Sequence, residues 1–219
     1  MPFISGVVAE VENQDSEIDS FTDTTPDDSE LDSYVSIKSE TSVDGTNFKH
    51  GLAVREKFVT REGVIVDNSD VSIGEREETT WVWTEFWLSR DDFMIVKNSD
   101  GIFAFDLVER ATGSDIDRVS FDLEDIVSDY SGQWMGSIEN RPDNVQSATL
   151  YGDDIEDDGD MGDAFLNSSK NQIGPWINYN GQELKVRVGG DWFQVLKPGD
   201  YTREQYLKLY MNVLSAYTT

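Results

Sequence analysis

The densest chemistry-bearing stretch of the chain is "GDDIEDDGDMGD", Gly152 to Asp163, with seven carboxylates in twelve residues. Crowded carboxylates hold hard cations through oxygen. Asp154-x-Glu156-x-Asp158-Gly159 has the spacing of the first half of an EF-hand loop, whose glycine permits the sharp turn. The second half fails. The twelfth position needs a bidentate Glu and holds Phe165, the ninth holds Gly162, and the preceding "SATLYGD" reads as a strand. Two readings remain: a looser divalent or K⁺ site on Asp154, Asp158, Asp160 and Asp163, or a flexible, solvated connector between two strand-bearing segments. The second weighs more, because crowded carboxylates gather ions in salt whether or not the ions serve a purpose.

A second pattern is Pro142-Asp143 with Glu183-x-Lys185. It resembles the PD…(D/E)xK signature of metal-dependent nucleases. The resemblance implies Mg²⁺ held by Asp143 and Glu183, with Lys185 stabilising the attacking water or the scissile phosphate. The gap between the halves is longer than usual, and no βαβ core is evident. His50 is the single histidine, and with no cysteine in the chain any Ser–His or Cys–His chemistry would rest on it alone. No G-x-S-x-G, P-loop or G-x-G-x-x-G is present. His50 therefore reads as a loop residue, and the pattern weighs against an enzyme.

Tryptophans are the other chemistry-bearing residues. In "WVWTEFWL", alternation puts Trp81, Trp83, Glu85 and Trp87 on one face and Val82, Thr84, Phe86 and Leu88 on the other. A stacking platform is conceivable, but apolar residues on both faces predict a central strand covered on both sides. Glu85 within that stripe then needs a partner. Trp134, Trp176 and Trp192 stand beside turns and are the binding candidates.

These residues sit on 219 positions with 44 Asp+Glu against 17 Lys+Arg, a formal charge of −27. Such a balance reads as disorder when aromatics are scarce. Here aromatics make up 11 % and fall in patterned runs, so a folded core is expected. The charge would repel itself at low ionic strength, and molar salt shortens the screening length to about 3 Å. In this the composition resembles that of cytosolic proteins of salt-in haloarchaea, a proteome style and not a protein family, with a virus or mobile element of such a host as the alternative source. The basic residues look scattered, so nucleic acid and anionic lipid are disfavoured as partners. Zero cysteines exclude disulfides, Cys-ligated zinc, iron–sulfur clusters and thiol catalysis in this chain. "MPFISGVVAEVEN" lacks a basic n-region, and no run approaches the roughly 18 apolar residues of a membrane span. A cytoplasmic protein without a membrane segment is expected.

The positioning elements follow from periodicity. Residues 4–11 alternate as a strand, and residues 13–33, rich in Asp, Ser and Thr, read as an acidic loop or arm. "YVSIKSETSV" is a strand, while residues 44–79 stay ambiguous. "WVWTEFWL", "FMIVK" and "IFAFDLVE" read as a three-strand meander, the last two joined at Asp100-Gly101. Leu123, Ile126, Val127 and Tyr130 predict a helix capped by Asp122 or Ser120 and ended by Gly132. "QWMGSI" and "VQSATLY" are strands, and Asn180-Gly181 joins "WINY" to "QELKVRV" in a two-residue turn. "WFQVL" adds a strand, and "DYTREQYLKLYMNVLSAYTT" closes as an amphipathic helix with a Thr202/Gln205 capping box.

The expected fold is α+β, with mainly antiparallel sheet built from meanders and two or three helices including the C-terminal one. The expected organisation is a strand (1–12), an acidic arm (13–33) and a body (34–219) with two meander-plus-helix lobes, about 80–131 and 175–219. The expected function is a non-catalytic interaction protein of a halophilic cytosol, with a protein partner and no cofactor beyond loosely held K⁺ or divalent cations. A Mg²⁺-dependent nuclease on Asp143, Glu183 and Lys185, and an acidic mimic of nucleic acid, are the alternatives.

Overall fold

Alternation decides the centre of the fold. In β1 (Ser5–Glu12), Val7, Ala9 and Val11 point to one side and Val8 to the other, and all four are buried. Such a strand belongs inside a sheet covered on both faces. The computed structural model describes residues 5–18, 20–27, 29–67, 70–139 and 146–219, and β1 does lie at mid-sheet there. The chain continues through β2 (Thr22–Asp23), β3 (Ser33–Val43), β4 (Thr46–Asp67), β5 (Asp70–Leu88), β6 (Phe93–Val96), α1 (Phe103–Thr112), β7 (Asp115–Arg118) and α2 (Leu123–Asp129). The second half holds β8 (Met135–Glu139), β9 (Ser147–Tyr151), α3 (Gly159–Leu166), β10 (Ser169–Gly174), β11 (Trp176–Tyr179), β12 (Gln182–Gly189), β13 (Trp192–Lys197) and α4 (Arg203–Asn212).

The fold is α+β and mostly antiparallel sheet, with four α-helices among the described residues. Hydrogen bonds run in the order β2-β3-β4-β5-β6-β1-β13-β12-β10-β8-β9, with β7 added beside β1 and β11 beside β12. β1 joins the two halves, pairing antiparallel with β6 on one edge and β13 on the other. On one side of the central strands, Val7, Ala9, Met94, Val96, Phe86 and Leu88 pack with Phe103, Ala104, Leu107 and Val108 of α1. The other side carries Val8, Trp87, Phe93 and Ile95. They belong to one cluster with Leu123 and Ile126 of α2, Tyr206, Leu207 and Tyr210 of α4, and Leu184, Val186 and Val188 of β12. No helix among the described residues is long and apolar enough to cross a membrane.

Several elements form for the reasons their sequences suggest. Asn180 and Gly181 both have positive φ (52° and 76°), as a type I′ hairpin requires. Asp122 accepts from the Asp125 amide at 3.0 Å and starts α2, which ends at Tyr130 rather than Gly132. Thr202 and Gln205 make both bonds of the capping box on α4. Tyr206 then stacks on Phe193 at 4.1 Å and donates its hydroxyl to the Phe193 carbonyl at 2.7 Å.

Two elements differ from expectation. "IFAFDLVE" is not the third strand of a meander but most of α1. Phe103 and Leu107, and Ala104 and Val108, are i, i+4 pairs, so the same residues also fit the broad buried face of a helix whose Asp106, Glu109 and Arg110 face solvent. The acidic stretch is not a flexible connector. Its second half is α3, and Ile155 and Phe165 carry it into the core.

Within the ambiguous residues 44–79, positions 46–67 and 70–79 lie in the two longest described strands, 22 residues in β4 and 19 in β5. β3 pairs with β4 only up to Arg55, and β6 pairs with β5 only over Phe86–Leu88. From 57 to 67 and from 70 to 80, β4 and β5 pair only with each other among the described strands. At about 3.3 Å per residue, this ribbon projects roughly 35 Å beyond the sheet.

Candidate binding surface

The surface is built where the cover over β4 and β5 runs out. Trp87 is buried beneath α4, and the Arg203 guanidinium lies 5.3 Å from its ring. Two residues back along β5, Glu85 is 16 % exposed and paired with Lys97 and Arg203, each at 3.3 Å. These are the partners that a carboxylate in an apolar stripe requires. His50, opposite Trp87 on β4, stacks on that indole at 4.7 Å with Nδ1 3.4 Å from the Ser39 hydroxyl. Burial, with the cations of Arg203 and Lys97, holds its imidazole below the ordinary histidine range, against the pull of Glu85. Its buried Nε2 has no hydrogen-bond partner. The ring is a neutral spacer at the margin of the cover.

Beyond Glu85 the same face is open. Trp83 is 60 % exposed and Trp81 48 %, so the stripe expected to be core is core only at Trp87. Tyr34 stacks on Trp81 at 5.9 Å, and Phe21, itself 60 % exposed, stacks on Tyr34 at 5.2 Å. The result is an aromatic platform lying across β3 to β5. Burial in the stack, with the carboxylates of Asp32, Asp23 and Glu56, pushes the Tyr34 phenol up.

The register carries this face into the ribbon. Val54 is opposite Trp83, Glu56 opposite Trp81, Phe58 opposite Thr79, Val64 opposite Ile73 and Val66 opposite Val71. Directly opposed residues share a face and the period is two, so all of these lie on one ribbon face. The four aliphatics near the tip are each more than half exposed. Glu62, Glu75 and Glu77 form an acidic band between the tip and the platform. The opposite ribbon face presents Arg55, Lys57, Arg61 and Arg76 with Glu78 as its acid, and Arg76 and Arg61 both pair with Glu78. Basic residues are therefore not scattered here: alternation gathers four of them on one side.

The residues singled out from the sequence lie elsewhere. Trp134 is buried and donates its indole N–H to the Val186 carbonyl at 3.0 Å. The Lys185 ammonium lies 4.1 Å from the Trp134 ring and 5.4 Å from Trp176, so two indoles enclose it. Trp192 is a separate site, half-buried under the Arg187 guanidinium at 5.0 Å. Glu183, on the exposed side of β12, shares a hollow of about 460 Å³ with Asp153, Asp154 and Trp176. Asp143 lies outside the described residues.

In the acidic stretch, Asp158 accepts from the amides of Asp160 and Met161 and caps α3, and Glu156 accepts from Gly132 and Gln133. A side-chain carbon at Gly162 would stand 2.3 Å from the Glu156 carbonyl, so the glycine marks the close approach of α3 to the turn before it. Asp154 precedes that turn in left-handed conformation, and Asp160 and Asp163 face solvent on α3. Among the described residues, no group of three or more carboxylates or imidazoles is arranged to hold a metal ion. An open groove of about 700 Å³ is lined by Glu17, Glu40, Lys49 and Arg90 among others, and Glu17 pairs with both cations.

Comparison with protein-family models, curated proteins and solved structures finds no match to this chain.

The sequence pattern admits a stacking platform but reads as covered core, and the ribbon is not foreseen. Its signal was present: "GVIVD" and "DVSIG" are near mirror images about residues 67–70, which is what a long hairpin with matched faces looks like.

Proposed function

We propose that the chain is a non-catalytic interaction protein working in concentrated salt, and that its partner-binding surface is the aromatic platform with the projecting ribbon. The observation that carries this is the exposure of Phe21, Trp81 and Trp83 beside a two-stranded ribbon whose tip is also apolar. The largest apolar patch on a typical monomer is about 300–600 Å², and patches of this size are often functional. Tryptophan and tyrosine are also the side chains that dominate binding hot spots. A ribbon standing outside the sheet gains little from its own fold, since an isolated two-stranded hairpin is marginal in water. The charge of −27 supports a saline setting, in which apolar burial is strengthened and acid–acid repulsion is screened.

The test is retention of partners from an extract of an extreme halophile at multimolar KCl. Wild-type protein and a Trp81→Thr/Trp83→Thr variant are immobilised side by side. The partner is expected on wild type and lost from the variant, while both unfold at the same urea concentration. Equal retention by the two proteins refutes the platform as a binding surface. Diluting the salt is expected to unfold the chain, and a fold that persists unchanged in dilute buffer removes the saline setting.

A further inference from the structure

We infer that the occupant of the platform is the ribbon tip of a second copy of this chain. The inference rests on the binding-surface reading above and specifies its partner.

Geometry keeps the two apolar patches of one copy apart. Tip and platform lie on the same pair of strands, and Val64 is ten residues beyond Val54 along β4. At about 3.3 Å per residue the tip stands roughly 30 Å from the platform in its own copy. A rigid ribbon cannot fold back over that span, but the tip of another copy can arrive there.

Chemistry fits the two patches to each other. The platform is a flat array of rings, and the tip is a pleated β-branched surface formed by Val64, Val66, Val71 and Ile73. Aromatic against β-branched is among the favourable pairings on sheet surfaces. Neither patch contains a Lys or Arg, so an anionic partner would find no counter-charge on either of them.

Area points the same way. With side-chain areas of about 150–250 Å² for the rings, the exposed fractions leave roughly 400 Å² open on the platform, and the tip leaves a similar area. One patch alone is no more than many monomers carry. Each copy that gives its tip and receives another buries both, roughly 800 Å² per copy, which is the size of a standard stable interface. The exchange can close as a pair or continue from copy to copy. Either form brings together chains of charge −27, so assembly requires salt.

A lipid surface is the other occupant that an apolar hairpin tip suggests. Asp70 precedes the tip residue Val71, and Glu62 and Glu75 back the tip, and these acids oppose an anionic membrane. A protein surface is favoured.

The chain has no cysteine, so single cysteines report contacts cleanly. Ile73→Cys places a thiol at the tip, and Ser36→Cys places one on β3 beside Tyr34. Mixed in multimolar KCl and mildly oxidised, the two variants are expected to form the mixed disulfide in preference to either homodimer. Sedimentation of wild type at roughly 100 μM is expected to show an assembled species. Val66→Asp should weaken that assembly at least tenfold while leaving the urea midpoint of the body unchanged.

A wild-type chain that sediments as a monomer at this concentration overturns the inference. So do disulfides that form only tip to tip, and so does co-flotation of the tip with anionic vesicles in place of self-association. If the monomer nevertheless loses its extract partner in the Trp81→Thr/Trp83→Thr variant, the binding surface stands with another occupant. If that retention is also unaffected, both readings fall together.

Discussion

Phe165 is the residue on which the acidic stretch can be judged, and its removal gives a quantitative expectation. Its ring is fully buried, and it faces Gly136 on β8 so closely that a side-chain carbon there would stand 2.2 Å from Cε2 and 2.6 Å from Cδ2. Phe165→Ala empties a buried ring site and should destabilise the protein by about 3–5 kcal/mol. Gly136→Ala forces a methyl against the ring and should cost about 1–3 kcal/mol. In the double variant the new methyl enters the vacated space. Its cost should therefore fall short of the sum of the single variants by about 1–3 kcal/mol, the scale expected of residues in direct contact. Urea melts at fixed KCl measure this without changing the ionic strength, as guanidinium would. A Phe165→Ala cost under about 1 kcal/mol would show that the stretch from Gly152 to Asp163 is a loosely attached connector after all. A double variant additive to within about 0.5 kcal/mol would show that ring and glycine do not meet.

Glu85→Ala leaves Lys97 and Arg203 without their shared carboxylate, and both are partly solvated, so a loss of about 1–2 kcal/mol is expected in the same urea assay. A variant as stable as wild type would mean that the ion pairs do not hold the start of α4 to the sheet. His50 sets a pH dependence. Its folded pKa lies below the unfolded value of about 6.5, chiefly through burial, so between the two values the unfolded chain binds more protons. Stability is then highest above about pH 6.5 and falls as the pH drops through that window toward the folded value. Urea midpoints near pH 7 and pH 5.5 should differ more for wild type than for His50→Gln, and equal differences would assign the pH dependence to the carboxylates.

What the sequence showed depended on whether a signal was local. The Asn180-Gly181 turn, the Thr202/Gln205 box and the Asp122 cap are decided within four residues, and each stands in the structure as read. The core face of β12, with Leu184, Val186 and Val188 all buried, follows from period two alone. Alternation failed at Phe103, Phe105 and Leu107 because a helix with a broad buried face satisfies two periods at once. It failed differently at Trp81 and Trp83. Their pattern matches that of Trp87, and the distinction lies in α4, whose first turn reaches Trp87 and Glu85 through Arg203. No residue near Trp83 in the sequence records where a helix from residues 203–212 begins. The acidic stretch was read by its charge, whereas its fold is set by what is not charged: Ile155, Gly162 and Phe165.

The place of β1 has a consequence in time. Ser5 pairs with Gln194, 189 positions later, while Val7 pairs with Val96 and Ala9 with Arg118. At about 5–20 residues per second, roughly 10–40 s separate the emergence of β1 from that of the strand completing its second edge. Sheets closed by such distant partners are slow to fold. Through that interval the apolar residues of "SGVVAEVE" wait with an open edge, the geometry that invites pairing with neighbouring nascent chains. The mid-sheet strand is thus the most secure part of the finished molecule and the most exposed part of the growing one.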